Sequence, residues 1–280
     1  MSQHFVQNAL VRNMALAGMQ AWARAQFWRK GTSIFVNSIP KAGTHLLTAE
    51  LEKFRELQHS QVMIHKHDIA AGEHWRADTP ADMKKLAKMI RGIRGRQIFA
   101  GHLYYNKDVI GAVEDIGAKT VFVYRDPRDL IVSMIFYAKG LRRHALHSFM
   151  NAREDQFDQV KAIVDGRSAD PLINSMRKAL PGYLGFLEDE RVCAVSFEDL
   201  VGERGGGTFE KKYDALRRVA RHCDLPTDTL KAQAEGAAKA TATLRKGKAN
   251  AWGEVLSPKS LQYIEQELGE SIQRLGYQLS

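Results

Sequence analysis

Short apolar runs rich in β-branched and aromatic residues recur at Ile34 to Val36, Val62 to Ile64, Ile98 to Ala100, Thr120 to Tyr124 and Val192 to Phe197, with longer helical stretches between them. This alternation predicts an α/β fold, a single domain with a central, mainly parallel sheet flanked by helices. The Thr120 to Tyr124 run is apolar or β-branched on both faces, as a central strand covered by helices on both sides requires. Near the end of the chain Leu261, Ile264, Leu268, Ile272 and Leu275 form one stripe at helical spacing, which is read as core. Two helix starts are marked by a hydroxyl ahead of a first-turn proline: Thr79 before Pro80, with Asp82 two residues on, and Ser257 before Pro258.

Residues 1–30 carry a different pattern. Phe5, Val6, Leu10, Val11, Met14, Leu16, Met19 and Trp22 suit one face of an amphipathic helix, while Arg12, Asn13 and Arg24 interrupt any apolar core of a signal peptide or membrane span. The segment ends in Arg29 and Lys30. It is expected to pack on its own domain, on a second copy in a homodimer, or on a membrane surface as a peripheral contact. Residues 31–280 are then one domain, near the upper size that one core serves. Two stretches inside it read as irregular. Gly202 to Thr208, with Gly205, Gly206 and Gly207 in succession, reads as a flexible loop. The polar stretch 141–170, with Arg142, Arg143, His144 and His147, reads as a mobile lid or acceptor-facing insertion.

Charge and composition narrow the partners. Lys and Arg number 41 against 32 Asp and Glu, a net charge of +9, which favours anionic ligands without choosing among them. No nucleic-acid-binding pattern accompanies it. Cys193 and Cys223 lack metal-like or CxxC spacing, so a reducing, cytoplasmic setting is expected. His65 and His67 lie two apart on a predicted strand, hence on one face, but no third ligand stands at metal-binding spacing and no metal site is expected.

Candidate chemistry begins after the first strand. Asn37-Ser38-Ile39-Pro40-Lys41-Ala42-Gly43-Thr44-His45 leads into a helical run from Leu46 to Leu57. A strand, a tight turn and a helix N-terminus present free backbone N–H groups to an anion, and the turn adds a lysine and a hydroxyl. The segment is not the Walker pattern, which needs an earlier glycine and a lysine adjacent to the Ser/Thr.

Pro40-Lys41-Ala42-Gly43-Thr44-His45-Leu46-Leu47 resembles the 5'-phosphosulfate loop, PKSGTTW, of the sulfotransferases that use 3'-phosphoadenosine-5'-phosphosulfate (PAPS). Further landmarks follow in that family's order. Arg125, after the Thr120 to Tyr124 strand, and Ser133, eight residues later, resemble its 3'-phosphate signature. Gly101-His102-Leu103 resembles the segment with its catalytic histidine, Ser196-Phe197-Glu198-Asp199-Leu200 its YEDL stretch, and Arg245 to Trp252 its RKGxxGDW motif.

The resemblance implies a P-loop-kinase-like sulfotransferase fold and transfer of a sulfuryl group from PAPS to an acceptor hydroxyl on a glycan, lipid or small molecule, leaving PAP and needing no metal. It implies that His102 is the general base, that Lys41 stabilises the leaving phosphate oxygen and that Ser133 acts beside them. Lys41, Ala42, Gly43, Thr44, His45 and Leu46 would hold the 5'-phosphate side. Arg125, Ser133, Phe197, Arg245, Lys246 and Gly247 would hold the 3'-phosphate side. An imidazole suits the base because its ordinary pKa lies near neutral pH.

The departures also predict something. His45 stands where the pattern has a threonine, Leu46 where it has the adenine-stacking tryptophan, and Phe197 where it has a tyrosine. Asn250 and Ala251 replace Gly and Asp, which predicts a changed path for that loop. Glu198 and Asp199 are read as structural, orienting a cap or pairing with an arginine. Two other readings compete. A nucleotide phosphotransferase would need a metal-holding hydroxyl beside the loop lysine, which this sequence lacks, and a polyanion-binding module leaves the ordered motifs unexplained.

Overall fold

The structure is a computed structural model that describes residues 9–25, 30–71, 80–142, 144, 146–166, 175–228, 230–235 and 248–280. Helix α1 (Ala9–Ala25) is followed by β1 (Ser33–Ser38), α2 (Thr44–Leu51), β2 (Gln58–His65), α3 (Met83–Ile90), β3 (Gln97–His102), α4 (Lys107–Asp115), β4 (Ala118–Tyr124) and α5 (Pro127–Gly140). Then come α6 (His147–Ala152), α7 (Gln156–Val164), α8 (Met176–Ala179), β5 (Val192–Ser196), α9 (Phe197–Leu200), α10 (Phe209–His222), α11 (Leu230–Glu235), α12 (Trp252–Val255) and α13 (Pro258–Arg274).

The strands form one five-stranded sheet in the order β2-β3-β1-β4-β5, and every pairing is parallel. β1 and β4 are buried along nearly their whole length, because two separate apolar clusters cover the two faces of the sheet. The chain runs outward from β1 over β3 to β2, returns to β3, and crosses to β4 on the other side of β1. In open sheets the crevice at the carboxyl ends of the strands flanking such a reversal is where ligands bind.

Local expectations fare unequally. Ser257 caps α13 with Pro258 in its first turn, and Ile264, Leu268, Ile272 and Leu275 are buried. Thr79 lies outside the described residues, and the cap of α3 is Asp82, whose carboxylate accepts from the Lys84 and Lys85 amides. The stretch 141–170 hides an apolar side behind its polar composition: Met150, Val160 and Val164 are fully buried in the main core.

Gly202 to Thr208 is a packed turn rather than a loose loop. A β-carbon at Gly207 would lie 2.9 Å from the Glu198 carbonyl, and the Gly205 carbonyl accepts from the Ala249 amide at 2.7 Å. His67 is not on a strand, since β2 ends at His65 and Lys66–Ile69 form a 3₁₀ turn. Its ring nevertheless stacks on that of His65 with centroids 5.3 Å apart. Cys193 and Cys223 are both free thiols. Among the described residues no helix is long and apolar enough to cross a membrane.

Candidate active site

Every described candidate site residue except Ser133 lies on or just beyond the carboxyl end of a strand. Lys41 and Gly43 follow β1, His102 ends β3, Arg125 follows β4 and Phe197 follows β5. Parallel pairing brings these ends to one edge, because Ser38 is level with Val123 and Tyr124 is level with Ser196.

The loop after β1 is bent by two left-handed residues, Lys41 at φ 73° and Gly43 at φ 113°. A non-glycine residue held there stores backbone strain, which persists where the surroundings over-determine it. At Gly43 the position demands glycine for a second reason: a β-carbon would meet the Phe197 ring at 2.8 Å. The first amides of α2, on Thr44 and His45, have no acceptor within the helix. The Ala42 amide bonds the Ile39 carbonyl at 3.0 Å and the Leu46 amide the Gly43 carbonyl at 2.9 Å. The Leu46 side chain is buried in the core. Of the loop residues expected to meet a phosphate, Ala42 and Leu46 therefore shape the turn, while Gly43, Thr44 and His45 offer amides to an anion.

His102 is fixed from β1. Its Nδ1 lies 3.0 Å from the Ser38 carbonyl and 3.1 Å from Ser38 Oγ. A carbonyl only accepts, so Nδ1 carries the proton and Nε2 keeps its lone pair. Ser38 Oγ also bonds Thr44 Oγ1 at 2.5 Å, which links His102 to the loop after β1. Asn37 holds the adjoining chain by donating to the Leu103 carbonyl at 2.9 Å and accepting from the Leu103 amide at 2.8 Å.

Burial, reinforced by His65, His45 and Lys41, pulls the His102 pKa down to about 4, well below the near-neutral value expected from sequence. The ring is thus uncharged at neutral pH, with one proton on Nδ1. The His65 ring lies 5.7 Å from that of His102. His59 is also pulled down to about 4, by burial and then by His45.

Lys41 Nζ sits over the Tyr137 ring, 3.9 Å from its centroid. Burial and then the charge of Arg125 lower its pKa to about 8. His45 shifts downward through desolvation and the Lys41 charge. Cations gathered this closely favour an anion between them.

Arg125 is buried, its guanidinium 4.0 Å over the Phe197 ring. One terminal nitrogen donates to Asp129 Oδ2 at 3.2 Å and to the Lys248 carbonyl at 2.8 Å. Its buried Nε has no partner among the described residues, a donor that a phosphate oxygen would satisfy. Asp129 also accepts from the Asn250 and Trp252 amides at 2.9 and 3.0 Å. Burial pushes its carboxyl upward, against the pull of Arg125 and the Trp252 amide.

Residues 248–252 are therefore docked on the Arg125–Asp129 pair. Asn250 adopts φ 57°, a conformation glycine favours and asparagine tolerates, so exchanging the pattern's glycine is compatible with this turn. Arg245, Lys246 and Gly247, expected to close over the 3'-phosphate, lie outside the described residues and directly precede this segment.

On α5, Asp129, Ser133 and Tyr137 follow at four-residue intervals and so share one face. This sets half-buried Ser133 between the anchor of Arg125 and the seat of Lys41. Phe197 backs both Gly43 and Arg125 from beneath. Glu198 accepts from the Asp126 amide at 3.2 Å and from the Tyr277 hydroxyl at 2.6 Å. Asp199 lies 3.8 Å from Arg218. Asp126 pairs with Arg128, not Arg125, at 2.8 Å. Arg128 in turn reaches Glu265 at 2.7 Å and stacks on Trp252, tying α13 to the start of α5.

Sequence reasoning missed Asn37, Ser38 and Tyr137, and it offered Asp126 and Asp129 as partners for Arg125, of which Asp129 is the one bonded. The polar pair ending an otherwise apolar strand was the available signal for the first two. Nothing local marked Tyr137.

The description of the sulfotransferase domain family matches residues 31–276. Among solved structures, a mouse sulfotransferase complexed with PAP is similar, with a TM-score of 0.58 and 16% identity over 90% of this chain and 89% of that one. A retinol dehydratase in a complex with retinol and PAP is similar with a TM-score of 0.51 and 15% identity over 93% of this chain and 87% of that one. At these identities the structural likenesses speak to the fold. No curated protein matches the chain.

Proposed function

The chain belongs to the sulfotransferase domain family and is a PAPS-dependent sulfotransferase, and we propose that it sulfates an acceptor hydroxyl with His102 as general base. The observation that carries this reading is the Ser38 carbonyl on His102 Nδ1, which supports a lone pair on Nε2 at the crevice. Bound PAPS supplies the sulfuryl group and a phosphate that leaves with the electrons of the broken S–O bond.

His102 Nε2 takes the acceptor proton as the hydroxyl oxygen attacks sulfur, and the low local pKa keeps it free to do so at neutral pH. Lys41 holds its charge beside the departing oxygen, where stabilisation that grows with bond breaking lowers the barrier. The Gly43, Thr44 and His45 amides bind the 5'-phosphate. Arg125 through its free Nε, with Ser133 and then Arg245, Lys246 and Gly247, binds the 3'-phosphate. The free thiols suit a reducing compartment, and we place the enzyme in the cytoplasm.

The retinol complex of the similar dehydratase makes an apolar alcohol a reasonable first acceptor to try, beside phenols and glycans. The test is transfer of label from radiolabelled PAPS to a panel of hydroxyl compounds. A labelled product with PAP released in equal amount is expected. PAPS consumption that needs no hydroxyl, or label carried only on amines, would overturn the reading.

A further inference from the structure

Among the side chains described for helix α1, residues 14–22, Leu16 and Gln20 are the half-buried positions, and Gln20 Nε2 donates to the Gln61 carbonyl at 3.0 Å. Gln61 lies in β2, an edge strand, where the pairing to β3 shifts register and its own φ is 62°. This irregularity frees an edge carbonyl for the helix. The remaining described positions of α1 are exposed: Met14 is 66% exposed, Trp22 61% and Met19 44%. Met14, Gly18 and Trp22 stand one above the next at i, i+4 positions, with Met19 alongside. These three are the large apolar side chains most exposed among the described residues, and a cluster of this kind marks an interaction site.

Charge identifies what covers it. No acidic residue occurs before Glu50, whereas Arg12, Arg24, Arg29 and Lys30 flank or interleave the apolar positions. A second copy packed on this face would bring two sets of like charges together without a counter-charge. An anionic bilayer surface neutralises them and accepts the thioethers and indole, a ring that prefers the membrane–water interface. Among the described residues no helix is long and apolar enough to cross a membrane, so the contact is placed in the interface plane.

We propose that α1 is a peripheral membrane-docking helix that seats Met14, Met19 and Trp22 in an anionic lipid surface. The proposal does not depend on the sulfotransfer chemistry, since vesicle binding requires neither PAPS nor an acceptor. It is tested by co-sedimentation of the full chain with phosphatidylcholine vesicles and with vesicles that also contain phosphatidylglycerol, at low and high salt. Roughly tenfold stronger binding to the phosphatidylglycerol vesicles is expected, weakened by salt.

The double variant Met14→Ser, Trp22→Ser should lose that binding by roughly tenfold or more while keeping its circular dichroism, because both side chains are exposed in the folded chain. Light scattering of wild type and variant covers the protein partner. Failure to sediment with either vesicle, equal binding to both, or binding unchanged in the variant would overturn the proposal. So would a dimer that the same substitutions dissolve.

Discussion

The two sides of the crevice are held in opposite ways. On the side of β4 and β5, Arg125 is clamped by Asp129, the Lys248 carbonyl and the Phe197 ring, and Asp129 fastens the Asn250 and Trp252 amides. Across the crevice, at the carboxyl ends of β2 and β3, burial and neighbouring histidines disfavour the charged forms of His102 and His65. The first arrangement fixes a charge in place before the ligand arrives, so binding it requires little reorganisation. The second keeps lone pairs available.

That contrast makes separable predictions. His102→Ala should lower kcat by about 10²–10⁴-fold while PAP affinity, measured by calorimetry, stays near wild type, because a general base need not touch the nucleotide. Retained turnover would move the base to His65, His67 or His45. Lys41→Ala should lower kcat by about 10²–10³-fold, more than it weakens PAP, because only differential stabilisation speeds the chemical step. Affinity lost with kcat at saturation unchanged would make Lys41 a binding residue alone.

Arg125→Lys keeps the charge but loses the fork and the free Nε. PAP affinity should fall by roughly ten- to a hundredfold, with little change for ADP. The smallest effect is on the pH profile of kcat/KM for PAPS, which reports the free enzyme. His102 is charged only below about 4 and Lys41 loses its charge above about 8, so activity should fall beyond those two limits. An acid limb near the ordinary imidazole value would show that His102 is solvated, which would remove the contrast between the two sides.

The Arg125 side was also the more legible in sequence. A strand followed by Pro-Lys-Ala-Gly-Thr, and another followed by Arg125 with Ser133 further on, are local signals, and the structure brings those segments to one edge. The links to His102 are not local. Ser38 reaches His102 and Asn37 reaches Leu103 across neighbouring strands, and Tyr137 meets Lys41 from a helix much later in the chain. Strand order has to be known before such pairs can be named.

The same limit explains Leu46. Its place in the pattern suggested adenine, but helical phase turns its side chain into the core. It also explains Gly202 to Thr208, where composition suggested a loose loop and close approach to the Glu198 carbonyl makes a packed turn.

The central claim is that the Arg125 side of the crevice is built for a 3'-phosphate. The most direct measurement compares the thermal midpoint of the full chain with PAP and with ADP at equal concentration, since a ligand stabilises by RT ln(1 + [L]/Kd). PAP should raise the midpoint and ADP should raise it far less. Equal shifts with the two nucleotides would contradict the account, because the buried Arg125 would then be reading no more than a diphosphate.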